Sequence, residues 1–188
     1  MEKEEEKKLI SEIKKGNLQE FVKIVDEYQK PLLGTAYYFV GNKDDAQELC
    51  QEAFLKLFKY IKSFLPKRGS IKSYLYKTIV NLCLSHLKKK KNHHNETFEE
   101  DFIVSSFERE EKGEIADIIN NLLKFLNPKE RTVFVLREVS ELEYNEIAKM
   151  LKLNEITIRR YNSMAKQKLR ELIDKKYPEY RYLYEKDN

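Results

Sequence analysis

The sequence has no tryptophan, and only five glycines, four prolines and two cysteines among its 188 residues. So few chain breakers, set among many Lys, Glu and Leu, favour an all-α protein. Cys50 and Cys83 stand far apart, each inside an apolar helical pattern. They read as buried thiols rather than as a disulfide or a metal site. No apolar run approaches the roughly 20 residues needed to span a bilayer. The opening MEKEEEKK is the opposite of a signal peptide, which points to the cytoplasm and to no membrane insertion. No Gly-rich phosphate loop occurs, and the tandem His93-His94 has no Cys or second His pair at ligand spacing. No catalytic residue, cofactor or metal is therefore expected, and the chain is not read as an enzyme.

What is abundant is charge, at 36 % of residues, and it is unevenly placed. Residues 1–91 carry 19 Lys and Arg against 12 Asp and Glu, residues 92–114 carry 2 against 8, and residues 115–188 carry 15 against 12. Two basic blocks flanking an acidic one suggest two modules that each meet a polyanion.

Apolar residues at helical spacing organise the chain. Leu9, Ile13, Leu18, Phe21, Val22 and Val25 mark two short helices broken at Gly16-Asn17, and a buried helix over 31–40 is entered through Pro31. Gly41-Asn42 ends it, and Asp44 is the expected N-cap of the next helix. That helix puts Leu49, Cys50, Ala53, Phe54, Leu57, Phe58 and Ile61 on one face and Asp45, Glu48, Gln51, Glu52 and Lys56 on the other. LPKRGS (65–70) is a loop, and a helix follows from about Ile71 to Lys91. Residues 92–112 read as an acidic linker. A second helical module spans 113–176, with Asn127 capping a helix that Pro128 opens. The Tyr-rich end, 177–188, is either a frayed tail or a packed extension.

Three faces could carry function. In 142–169, Ile147, Ala148 and Leu151 form one short apolar face, Leu153 follows a tight turn, and Asn154 caps a further helix. This is the logic of a helix-turn-helix, whose second helix enters the major groove. Its basic side carries Arg159, Arg160, Ser163, Lys166 and Gln167. The stripe Tyr74, Lys77, Asn81, Ser85 and Lys88, beside Lys67-Arg68, suits single-stranded nucleic acid: Tyr stacks, Lys neutralises phosphate, Asn bonds a base. The plain alternative for both is a solvated helix face. The polar face Asp45, Glu48, Gln51 and Glu52 is either solvated or a protein-docking face.

In this order the pieces resemble a bacterial RNA polymerase sigma factor of the extracytoplasmic-function (ECF) group, over residues from about 18 to 173. DDAQELCQEAFLKLFKYIKSF is similar to the conserved part of region two, YLYKTIVNLCLSHLKKKK to the helix after it, and LNPKERTVFVLREVSELEYNEIAKMLKLNEITIRRYNSMAKQKLREL to region four. The resemblance implies two small helical domains, region two in 1–91 and region four in 113–176, joined by a flexible linker. It implies docking on RNA polymerase core enzyme through Asp45, Glu48, Gln51, Glu52 and Leu55, with Phe58 in support. It implies capture of the melted minus-ten element by Lys67, Arg68, Tyr74, Lys77, Asn81 and Lys88. It implies reading of the duplex minus-thirty-five element by Arg159, Arg160, Ser163 and Lys166. An anti-sigma factor is the expected regulatory partner. Asn162 stands where the family has a core leucine, and Tyr161 is expected to fill that space. The competing readings are a helix-turn-helix regulator that never docks on polymerase and a helical scaffold whose basic faces are incidental.

Overall fold

The computed structural model describes residues 3–66, 69–93 and 113–185. Within them the regular elements are helical, and the chain divides into two compact units on either side of residues 94–112. Lys67, Arg68, His94 and all but the first two residues of the expected linker lie outside the described residues.

The first unit holds α1 (Lys3–Lys14), α2 (Gln19–Val40), α3 (Lys43–Tyr60) and α4 (Ile71–His93). α2 packs on α1, α3 and α4, and α3 packs on α4. Ile24, Leu32 and Phe39 of α2, Ala53 and Leu57 of α3, and Leu75, Ile79 and Cys83 of α4 are buried at the centre. Cys50 and Cys83 are both buried free thiols. Burial pushes the Cys50 thiol up to about 11, so it stays protonated at neutral pH.

Two local expectations are corrected. Pro31 does not open a helix; it lies inside the continuous α2. Ile24 and Tyr28 before it and Leu32, Ala36 and Phe39 after it form one buried stripe at helical spacing. Packing of that stripe outweighs the roughly 3 kcal/mol that an interior proline costs. The N-cap of α3 is Asn42, not Asp44: its side-chain oxygen accepts from the Asp45 amide at 2.9 Å. Asp44 and Asp45 sit in the first turn, where the helix dipole favours them.

One contact ties the ends of this unit together. The buried Glu6 carboxylate of α1 accepts from the Ile71 amide, the first of α4, at 3.1 Å. The Ser70 hydroxyl accepts from the Ser73 amide at 3.1 Å, so two side chains satisfy the start of α4.

The second unit holds α5 (Gly113–Leu123), α6 (Pro128–Phe134) running into a π-turn (Val135–Val139), α7 (Tyr144–Leu151), α8 (Glu155–Lys176) and a short α9 (Tyr182–Glu185). α8 is the spine, packing on α5, α6 and α7. Asn127 caps α6 in a reciprocal capping box with Glu130, and Pro128 takes the first helical turn. Glu130 is fully buried, yet its carboxylate also accepts from Lys168 at 2.8 Å and 2.9 Å, which pins α6 to α8. Two side chains beyond α8 reach back to it: the Tyr184 hydroxyl donates to Asp174, and Arg181 pairs with the same carboxylate at 2.6 Å.

Candidate functional site

The outward face of α3 is the first candidate. Glu48, Gln51 and Leu55 are exposed along one strip, and Leu55 is 58 % exposed. Glu52 flanks it, half-buried and paired with Lys56 at 3.0 Å. Asp45 stands apart from them. It turns toward α4, where Lys90 donates to it at 2.9 Å and His86 lies 3.3 Å away. Partial burial works to raise the Asp45 pKa, but the Lys90 ammonium, with His86, holds the carboxyl below its usual value. Asp45 is thus a brace between α3 and α4.

Phe58 departs from the expected inner face: it is 42 % exposed and meets Phe21 of α2 edge-on, ring centroids 5.1 Å apart. These rings close one end of a groove of about 630 Å³ between α2 and α3, which Val25, Leu33, Gln51 and Leu55 also line. Val22 beside it is 54 % exposed. The α2 wall was missed in the sequence because a break at Pro31 separates Phe21 and Val25 from Leu33. As one unbroken helix, residues 21, 25, 29 and 33 fall on a single face.

The α4 stripe is the second candidate. Lys77, Asn81, Ser85 and Lys88 are exposed, and Lys77, Asn81 and Lys88 make no hydrogen bond or ion pair within the described residues. Tyr74 is different. Its ring stacks on Tyr60 at 5.1 Å and 10°, and Phe64 meets it edge-on at 6.1 Å. That cluster anchors the chain entering the loop, and Lys14 reinforces it by donating to the Phe64 carbonyl at 2.8 Å.

The third candidate is built on α7, the turn and α8. Lys152 ends α7 in the left-handed conformation, φ 55°, and its amide donates to the Ala148 carbonyl. Asn154 then caps α8 by accepting from the Thr157 amide at 2.7 Å. The buried side of α8 is Ile158, Asn162, Ala165, Leu169 and Ile173. Asn162, not Tyr161, therefore occupies the core position. Its amide donates to Glu138 at 2.7 Å and to the Tyr144 hydroxyl at 3.0 Å, which is why a polar side chain survives there. Tyr161 is half-buried and turns toward Lys129.

The exposed side of α8 carries the expected basic residues in two states. Arg159 pairs with Glu155 at 2.6 Å and lies over the Tyr144 ring, and Lys166 pairs with Glu138 at 3.0 Å. Arg160 and Ser163 are exposed with no partner within the described residues. Tyr144, Arg159, Ser163, Lys166 and Arg170 border a cleft of about 540 Å³. Ile156, overlooked in the sequence, is 80 % exposed on the same side.

Among the described residues, no group of three or more His, Cys, Asp or Glu is placed to hold a metal ion, and no helix is long and apolar enough to cross a membrane.

The family model for Sigma-70 region 2 matches residues 24–93, and that for Sigma-70, region 4 matches 116–169. The chain is 28 % identical to the ECF RNA polymerase sigma factor SigW of Bacillus subtilis, over 87 % of this chain and 94 % of that protein. It is also 28 % identical to the RNA polymerase sigma-H factor of Pseudomonas aeruginosa, over 92 % of this chain and 93 % of that one. Its fold is similar to CnrH, solved in complex with the cytosolic domain of CnrY, with a TM-score of 0.73, 19 % identity, and coverage of 91 % and 98 % of the two chains. It is similar as well to the sigma factor RpoE of Bartonella quintana, solved with the anti-sigma factor NepR, with a TM-score of 0.70, 20 % identity, and coverage of 83 % and 98 %.

Proposed function

We propose a residue-level account of promoter recognition from the premise that this chain belongs to the sigma-70 family, in its ECF group, and is a transcription initiation factor that brings RNA polymerase core enzyme to promoter DNA. In it, α3 docks on core through Glu48, Gln51, Glu52 and Leu55, with Phe58 and the α2 wall extending the surface. Asp45 supports that face from behind by fixing α3 to α4. An exposed leucine between a glutamate and a glutamine, beside an apolar groove, gives a partner both area to bury and polar groups to set register.

The exposed Lys77, Asn81 and Lys88 of α4, with Lys67 and Arg68 of the preceding loop, meet the melted minus-ten strand. Each flipped base loses stacking of a few kcal/mol, which a pocket must return. Tyr74, already stacked on Tyr60, contributes a rigid aromatic platform. Arg160 and Ser163 face base edges of the minus-thirty-five element, and Arg159 and Lys166 stand at the flank near phosphates. The two domains, 1–91 and 113–176, span the two elements through the linker at 92–112. The protein works in the bacterial cytoplasm, where core polymerase and promoter DNA are. An anti-sigma factor holds it inactive by covering the α2–α3 groove, in line with the similar sigma factor RpoE of Bartonella quintana, solved with the anti-sigma factor NepR.

The observation that carries this reading is Leu55, 58 % exposed at the C-terminal end of the α3 strip, in the same unit as the basic stripe of α4. A duplex-binding regulator has no use for such a docking face. Purified core enzyme tests it. Wild type should bind core, and Leu55→Glu and Glu52→Lys should bind at least tenfold more weakly while keeping full helicity. Unchanged affinity in both variants would remove the docking assignment.

A further inference from the structure

We propose that Ile156 is a specificity residue that reads a thymine methyl group in the upstream duplex element. The inference rests on the placement of α8 in that element. Ile156 is 80 % exposed in the first turn of α8, directly after the Asn154 cap. It lies on the strip of Arg160 and Ser163, at spacings of four and seven, opposite the buried stripe from Ile158 to Ile173. The core therefore has no use for it. A protein-docking role would call for further apolar side chains along the helix strip, yet Leu153, 38 % exposed, lies in the turn before α8, and the strip continues through Arg160, Ser163 and Gln167, all polar and exposed.

A single branched aliphatic side chain among hydrogen-bonding ones matches the chemistry of the major groove. There every base edge is polar except the C5-methyl of thymine. The N-terminal residues of a recognition helix are the ones that approach base edges. Ile156 would supply the methyl contact, and Arg160 and Ser163 the hydrogen bonds beside it. The strip would then distinguish thymine from cytosine at one position by apolar contact.

The test uses the full chain bound to core polymerase and a promoter fragment recovered with that holoenzyme. Each thymine of the upstream element is replaced singly by deoxyuridine, which removes only the methyl group. Wild type should lose about fourfold in affinity at one position, the worth of one buried methyl. Ile156→Ala should bind the unmodified fragment more weakly and be indifferent to deoxyuridine there. The substitution is on an exposed helix site and favours helix, so the fold is not at risk. Wild type indifferent at every thymine, or a variant as sensitive as wild type, would overturn the inference while leaving the upstream reading intact. If scrambling the whole upstream element leaves wild-type binding unchanged, the placement of α8 fails, and the inference with it.

Discussion

The guanidinium of Arg159 lies 4.3 Å from the centre of the Tyr144 ring, so α7 holds a basic side chain of α8 in place before any DNA arrives. Glu155 completes the clamp at 2.6 Å. Arg159→Ala should weaken binding of the upstream duplex about equally on all sequences and lower its salt dependence, as loss of a phosphate contact does. A loss of about 1–3 kcal/mol confined to one base identity at one position would make it a base contact instead. Tyr144→Phe should bind as wild type because the ring remains. Tyr144→Leu should lose about 0.5–1 kcal/mol, the scale of an exposed cation–π contact. Equal losses in Phe and Leu variants would show that the hydroxyl, not the ring, matters.

Asn162 is buried between Glu138 and Tyr144. Asn162→Asp removes the donor and sets a carboxylate against that of Glu138. It should destabilise the second unit by roughly 2–4 kcal/mol at neutral pH. Asn162→Leu replaces the amide with an apolar group of similar size and should change stability by less than about 1.5 kcal/mol. With no tryptophan in the chain, far-UV circular dichroism during urea unfolding is the natural readout. If Asp is tolerated as well as Leu, the hydrogen bond to Glu138 has no structural weight.

Glu6 caps α4 from inside the first unit, and burial, with Glu27 nearby, raises its pKa against the opposing Ile71 amide. A carboxyl with a raised folded-state pKa favours folding most below its unfolded value of about 4.3 and loses that contribution as pH rises through the folded value. Glu6→Gln keeps an acceptor for the Ile71 amide without the charge. Wild type should therefore lose stability relative to Glu6→Gln as pH rises from about 4 towards neutrality. Glu6→Ala should cost most near pH 4, about 1 kcal/mol as a lost cap does, and less as pH rises towards neutrality. A pH-independent difference between wild type and Glu6→Gln would contradict this.

The helical class and the helix-turn-helix were legible because apolar spacing and caps agree there: Asn127, Pro128 and Asn154 do in the structure what their types suggest. Pro31 misled because the buried stripe that carries a helix through it is a tertiary effect. Asp45 looked equivalent to Glu48 because spacing alone cannot show that Lys90, far along the chain, reaches across to it. Asn162 looked like a gap in the core because its partners, Glu138 and Tyr144, come from other elements. Ile156 was passed over because an isoleucine in a helical pattern is ordinarily assigned to the core. Its exposure in the structure separates it from Ile158, which is fully buried two residues later.

If this chain confers promoter choice on core polymerase by docking through α3, run-off transcription on genomic promoter fragments should show it, with core enzyme alone, with wild type, and with Leu55→Glu. Discrete transcripts are expected with wild type, none with core alone, and at least a tenfold loss with Leu55→Glu. Wild type that directs no transcript, or Leu55→Glu that directs them as well as wild type, would contradict that role.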